Sequence, residues 1–65
     1  MKVRDLIREL ERDGWAFVRQ SGSHRQYRHP TRPGTVTVPG SLGAELAKGT
    51  LGSIMRQAGL VRRQR

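Results

Sequence analysis

The sequence predicts an α+β fold of two layers, in which two helices cover one face of a three-stranded antiparallel sheet in the order helix, strand, strand, strand, helix. Three observations carry this expectation. Apolar residues recur at helical spacing near both ends of the chain, the middle alternates branched or aromatic residues with polar ones, and glycine or proline punctuates the junctions. The 65 residues suffice for one domain, expected over 1–61, whose thin core removes only about 60% of the unfolded surface from water. The remaining Arg62-Arg63-Gln64-Arg65 reads as a disordered cationic tail.

Val3, Leu6, Ile7 and Leu10 fall at i, i+3, i+4 and i+7, which predicts an amphipathic helix over 3–13. Asp5 with Arg8, Arg8 with Glu11 and Glu9 with Arg12 lie three apart on its wet side. Gly14 can end this helix in the left-handed conformation, and Trp15 can then fold back on Leu10. Two strand-like runs follow, Trp15 to Gln20 and Arg25 to His29, joined by Gly22-Ser23, an acceptable pair for a two-residue type II′ hairpin turn. A second reversal is expected at 30–34, with Pro33-Gly34 suited to a type II turn, and Thr35-Val36-Thr37-Val38 alternates as a third strand.

Residues 39–49 are glycine-rich and read as a loop holding one helical turn at Ala44-Glu45-Leu46-Ala47. Thr50 is the expected N-cap of a second helix over 50–58, whose stripe is Leu51, Ile54, Met55 and Ala58. Gly59-Leu60 repeats the ending of the first helix. Gly52, costing ~1 kcal/mol relative to alanine inside a helix, suggests close backbone packing or a contact at that point. Both apolar stripes need the same sheet face, which leaves the other face open.

The net charge of +8 is unevenly distributed. Basic and acidic residues cancel over the first helix, whereas the chain after Gly14 carries nine basic residues and a single acid, Glu45. That asymmetry points to a polyanionic or acidic partner. There are no cysteines, no apolar run approaches the ~20 residues of a membrane span, and the amino terminus turns polar too soon for a secretion signal. A cytoplasmic location is expected.

Metal-assisted hydrolysis is disfavoured because four of the five acids lie on one helix surface and the fifth is isolated in a loop. A serine hydrolase lacks an acid near Ser23-His24, and cofactor binding lacks a strand, glycine-rich turn and helix unit, so no metal and no cofactor are expected. Histidine with cations remains. This set suffices for RNA, whose ribose 2′-OH is a built-in nucleophile needing only proton transfer and charge stabilisation. His24 is placed to act as general acid or base, with Arg25, Arg28 or Lys48 holding phosphate oxygens. Spacing alone leaves a second role open for His24, that of a polar residue capping the hairpin, and favours a structural role for His29, Tyr27 and Trp15.

The run Gly22-Ser23-His24-Arg25-Gln26-Tyr27-Arg28-His29-Pro30, followed by Val36-Thr37-Val38-Pro39 and then Gly49-Thr50-Leu51 with Ile54 and Gln57-Ala58-Gly59-Leu60, resembles the HicA family of bacterial toxins. Gly14-Trp15 fits the same pattern. The resemblance covers residues 1–60 and implies a double-stranded RNA-binding-like fold. It further implies an mRNA interferase activity, with a single essential histidine that matches His24 in the Gly22-Ser23-His24 element. The implied partners are mRNA and a HicB-type antitoxin. Gly40-Ser41-Leu42-Gly43 departs from the pattern, because relatives carry a histidine or basic residue there. The alternative functions are a non-catalytic RNA-binding module and a protein-interaction or DNA-binding component. The first is disfavoured because Lys48 is the only lysine near the second helix's start, the second because it gives His24 no task.

Overall fold

Both helices end as their sequences require. In the computed structural model, which describes residues 1–60, α1 spans Val3–Arg12 and α2 spans Lys48–Ala58, with β1 at Ala16–Ser21, β2 at His24–Arg28 and β3 at Thr35–Val38 between them. The cationic tail expected at 62–65 lies outside the described residues. After α1, the Gly14 N–H donates to the Glu11 carbonyl at 3.0 Å and the Trp15 N–H to the Leu10 carbonyl at 3.0 Å. After α2, Gly59 donates to Arg56 at 3.2 Å and Leu60 to Met55 at 2.8 Å. These are two complete Schellman motifs, and the glycines take the left-handed φ of +102° and +73° that the motif demands.

The helix starts are less conventional. Neither α1 nor α2 has a side-chain cap. The loop after β3 serves α1 instead: the Ala44 carbonyl accepts the Val3 N–H at 2.9 Å and the Leu42 carbonyl accepts the Arg4 N–H at 3.0 Å. This satisfies donors that every helix start leaves open. It also corrects the expected helical turn at 44–47. That segment is extended, with Glu45 bridged to Lys2 and the Leu46 N–H donating to the Met1 carbonyl at 3.0 Å. The helical turn loses because those backbone groups are already spent on α1. A second correction concerns α2, which begins at Lys48 after Ala47 rather than being capped by Thr50. Gly52 has no backbone packed against it, since a Cβ there would meet only the Arg56 guanidinium at 3.4 Å.

The sheet is a meander in the order β1-β2-β3. The two-residue turn pairs Ser21 with His24, Gln20 with Arg25 and Arg19 with Gln26, and a bulge between Phe17 and Arg19 then shifts the register to Phe17 with Tyr27. Gly22 has φ +60° while no residue other than glycine has a positive φ, which leaves type II′ as the turn compatible with Ser23 at the second position. Gly34, at φ +85°, likewise fits the third position of a type II turn.

Tyr27 pairs with Val36 and Arg25 with Val38, so these four share a sheet face. Tyr27, Val36 and Val38 are buried with Val3, Leu6, Ile7 and Leu10 of α1, Ile54 and Ala58 of α2, and Trp15. One face of the sheet thus meets both helices in a single core, as the paired stripes imply. Burial pushes the Tyr27 phenol above its ordinary range, the charge of Glu11 adds to the rise, and Arg25 opposes it.

A polar clamp closes the end of the molecule where β2 runs out. His29 Nδ1 accepts the backbone N–H of Thr31 at 3.1 Å and of Arg32 at 3.3 Å. Because a backbone N–H can only donate, the ring proton sits on Nε2, which donates to the Asp13 carbonyl at 2.8 Å. The ring also stands edge-on to Trp15, with centroids 5.2 Å apart. Arg32 Nη1 donates to the Ala58 carbonyl at 2.6 Å and lies 3.1 Å from Asp13 Oδ2, an ion pair too oblique for a hydrogen bond. Asp13, His29 and Arg32 together bind the ends of α1, β2 and α2. No helix among the described residues is long and apolar enough to cross a membrane.

Candidate active site

The opposite end of β2 has a different character. His24 opens the strand immediately after the Gly22-Ser23 turn and is exposed, and its side chain makes no hydrogen bond or ion pair with any described residue. The turn itself is braced by Gln20, whose Nε2 donates to the Gly22 carbonyl at 2.8 Å. Strand alternation sets His24, Gln26 and Arg28 on the face away from Tyr27, and Thr37 joins them through its pairing with Gln26.

α2 lies along β3, the edge strand, and the space between them is a groove of about 480 Å³. His24, Thr37 and Pro39 form its sheet wall. Gly49, Thr50, Ser53, Ile54 and Gln57 form its helix wall. The volume falls within the ~300–1,000 Å³ typical of small-ligand sites, and no carboxylate lines it.

The helix wall begins at the first turn of α2, where the N–H groups of Lys48, Gly49 and Thr50 donate to no described residue. No acidic side chain stands in that turn. The open donors of Gly49 and Thr50 and the positive end of the helix dipole therefore share a groove with a bare imidazole, and the open Lys48 N–H lies beside it. Chemically, such an arrangement suits an anion and sets beside it a side chain able to carry a proton.

The other sequence-derived candidates separate. Lys48 is exposed at the head of α2, next to the groove. Arg28 is exposed on the face of His24, four strand residues further along, at roughly 13 Å for a rise of ~3.3 Å per residue. Arg25 points to the other face, is half-buried, and donates from Nη1 to the Gly40 carbonyl at 2.8 Å, tethering the loop that follows β3. His24 and Arg25 are thus neighbours in sequence but not in orientation.

Two groups of residues escaped the sequence reading. Arg19 pairs with Gln26 and so joins His24 and Arg28 on the outward face. The two-residue turn already dictated this register, since it forces 21 opposite 24 and 19 opposite 26. Thr50, Ser53 and Gln57 form a polar i, i+3, i+7 stripe beside the apolar one on α2, and this spacing was visible as well.

The family model for the HicA toxin of bacterial toxin-antitoxin matches residues 3–60, nearly the whole of this chain. The chain belongs to that family and is thereby a toxin of a toxin-antitoxin system, a class of protein that acts with an antitoxin partner. No curated protein matches it.

Proposed function

We propose that this toxin is an endoribonuclease that cuts mRNA without a metal ion, with His24 moving the proton. The observation that supports this reading best is the juxtaposition of an unbonded, exposed His24 with the open N–H groups of α2 across one groove. A scissile phosphodiester seated at those N–H groups has its non-bridging oxygens neutralised by Gly49 and Thr50, with the Lys48 ammonium nearby. The 2′-oxygen of the preceding ribose then attacks phosphorus as the bond to the 5′-oxygen breaks. His24 either takes the 2′-OH proton or delivers one to the departing 5′-oxygen, and water completes the exchange. The fixed N–H groups meet the extra negative charge that builds on the phosphoryl oxygens.

The outward-facing Arg19 and Arg28 extend the cationic track for flanking phosphates, so affinity falls as salt rises. Arg25, held by Gly40 on the other face, contributes to the site by fixing the loop beside Pro39. Gly22 and Ser23 support His24 by setting the start of β2. Inhibition of translation follows from transcript cleavage. An antitoxin of the HicB type would silence the toxin by occupying the groove.

The test is incubation of the purified chain with a defined single-stranded RNA and a chelator, beside the same strand carrying one 2′-deoxynucleotide at the mapped cut. Cleavage of the RNA to a 2′,3′-cyclic phosphate and a 5′-hydroxyl, and survival of the deoxy-substituted bond, are expected. Intact RNA, or cutting that continues at the deoxy position, contradicts the proposal.

A further inference from the structure

We propose that Gln57 is the specificity-determining residue of the groove, reading one base of the bound RNA, an inference that rests on the reading of the groove as an RNA-cleaving site. The groove changes chemistry along its length. At the head of α2 it offers only phosphate-type ligands, the N–H groups of Gly49 and Thr50. Further along, the buried side chain of Ile54 and the half-buried Pro39 give it an apolar floor, suited to the flat face of a base. At the far end stands Gln57, an exposed amide that bonds to no described residue.

The eight steps from Gly49 to Gln57 rise about 12 Å at ~1.5 Å per residue. A nucleotide anchored by its phosphate at the helix start therefore extends its base toward Gln57, with the Ser53 hydroxyl between. Of the groove's polar side chains, Gln57 alone presents a donor and an acceptor side by side and aimed the same way, since the two ring nitrogens of His24 point apart. That pair matches the adjacent donor and acceptor on a base edge, whereas a hydroxyl rotates to suit any partner. Gln57 is also dispensable to the fold. It lies on the wet side of α2, away from the Ile54 and Ala58 positions that enter the core and from the Schellman contacts of Met55 and Arg56.

The experiment uses a pool of RNAs randomised around one cut site and sequenced before and after digestion by the native chain, Gln57→Leu and Gln57→Glu. The native chain is expected to enrich cuts beside one base at one position. Gln57→Leu should flatten that preference by roughly 5- to 100-fold, the discrimination typical of a bidentate base contact, by slowing cuts beside the preferred base while cuts beside the other bases change far less. Gln57→Glu, an acceptor alone, should move the preference toward guanine, whose edge offers two neighbouring donors. Unchanged preference in both variants overturns the assignment while leaving the nuclease reading intact. So does a uniform loss of cutting at every sequence, which marks Gln57 as a general affinity contact. Absence of cutting by the native chain overturns both readings together.

Discussion

The two ends of β2 each carry a histidine, and only one of them is free. His29, one residue past the strand, has both ring nitrogens committed, its edge against Trp15, and a carbonyl of α1 as its acceptor. The imidazole of His24, at the strand's first position, has no bond to a described residue and faces a groove. The same contrast holds for the cations: Arg32 is bound to Asp13 and Ala58, whereas Lys48 and Arg28 are unpaired among the described residues. A polar group whose capacity is exhausted stabilises, and one whose capacity is open can react or bind. The molecule separates the two duties along one strand, so substitutions at its two ends should fail in different ways.

The largest expected effect is on the two histidines themselves. His24→Ala should reduce RNA cleavage by about 10²- to 10⁴-fold, the range for a lost general acid or base, with no change in melting temperature. His29→Ala should do the reverse. It removes about three hydrogen bonds at a net ~1 kcal/mol each, and for a domain this small that lowers Tm by ~10 °C or more. Its cleavage rate should be near native at a temperature where it stays folded. Parallel melting curves and single-turnover rates would check both, and a stability loss from His24→Ala would erase the contrast.

Next come the glycines that the clamp presses upon. A Cβ on Gly14 would lie 2.8 Å from His29 Nε2, and one on Gly59 would lie 2.5 Å from Arg32 Nη1. Either alanine also forces a left-handed φ, worth roughly 1–2 kcal/mol. Gly14→Ala should cost more, because the imidazole is wedged against Trp15 while the arginine tip can swing aside. Urea midpoints would rank them.

A smaller and opposite effect belongs to α2. Gly52→Ala should raise stability by up to ~1 kcal/mol and leave cleavage unchanged. Gly49→Ala, with nothing within 4 Å of its Cβ, should keep the fold but slow cleavage, since the new methyl would stand in the approach proposed for the phosphate. Equal rates for the two variants would mean that the helix start is not used.

The smallest effect lies midway along the strand. The Tyr27 phenol is raised first by burial and then by Glu11, so the folded state holds its proton more tightly than the unfolded chain does. The resulting stability is whole below the unfolded value near ~10 and is lost as pH rises through the folded one. Tyr27→Phe should therefore soften the alkaline decline in urea midpoint, and an unaltered decline would show that other groups cause it.

How much of this was legible beforehand follows from where each interaction's partners lie. The strands and helix ends were readable because turns and Schellman motifs are settled within a few residues: Gly22-Ser23 fixes a register and Gly14 fixes a stop. The α2 start was not, since Ala47 offers no capping side chain and Thr50, a good cap by type, lies inside the helix. The segment at 44–47 was misread for a related reason, because the Ala44 carbonyl serves Val3 and the Leu46 N–H serves Met1, both more than forty residues away. The candidate site was legible in part. His24 could be nominated and a structural role for His29 favoured, but the acceptor that engages His29, at Asp13, lies 16 residues distant and could not be named. Arg25 likewise reads as a free cation until its tether to Gly40 is seen.

The contrast between the two histidines is tested most directly by following their imidazole nitrogens in a ¹⁵N-labelled chain by NMR, while adding an RNA strand made uncleavable by 2′-O-methyl groups. His29 is expected to show the Nε2-protonated tautomer before and after addition, and the His24 resonances alone to shift with the titration. Movement of His29, or an unresponsive His24 at saturating RNA, would contradict it.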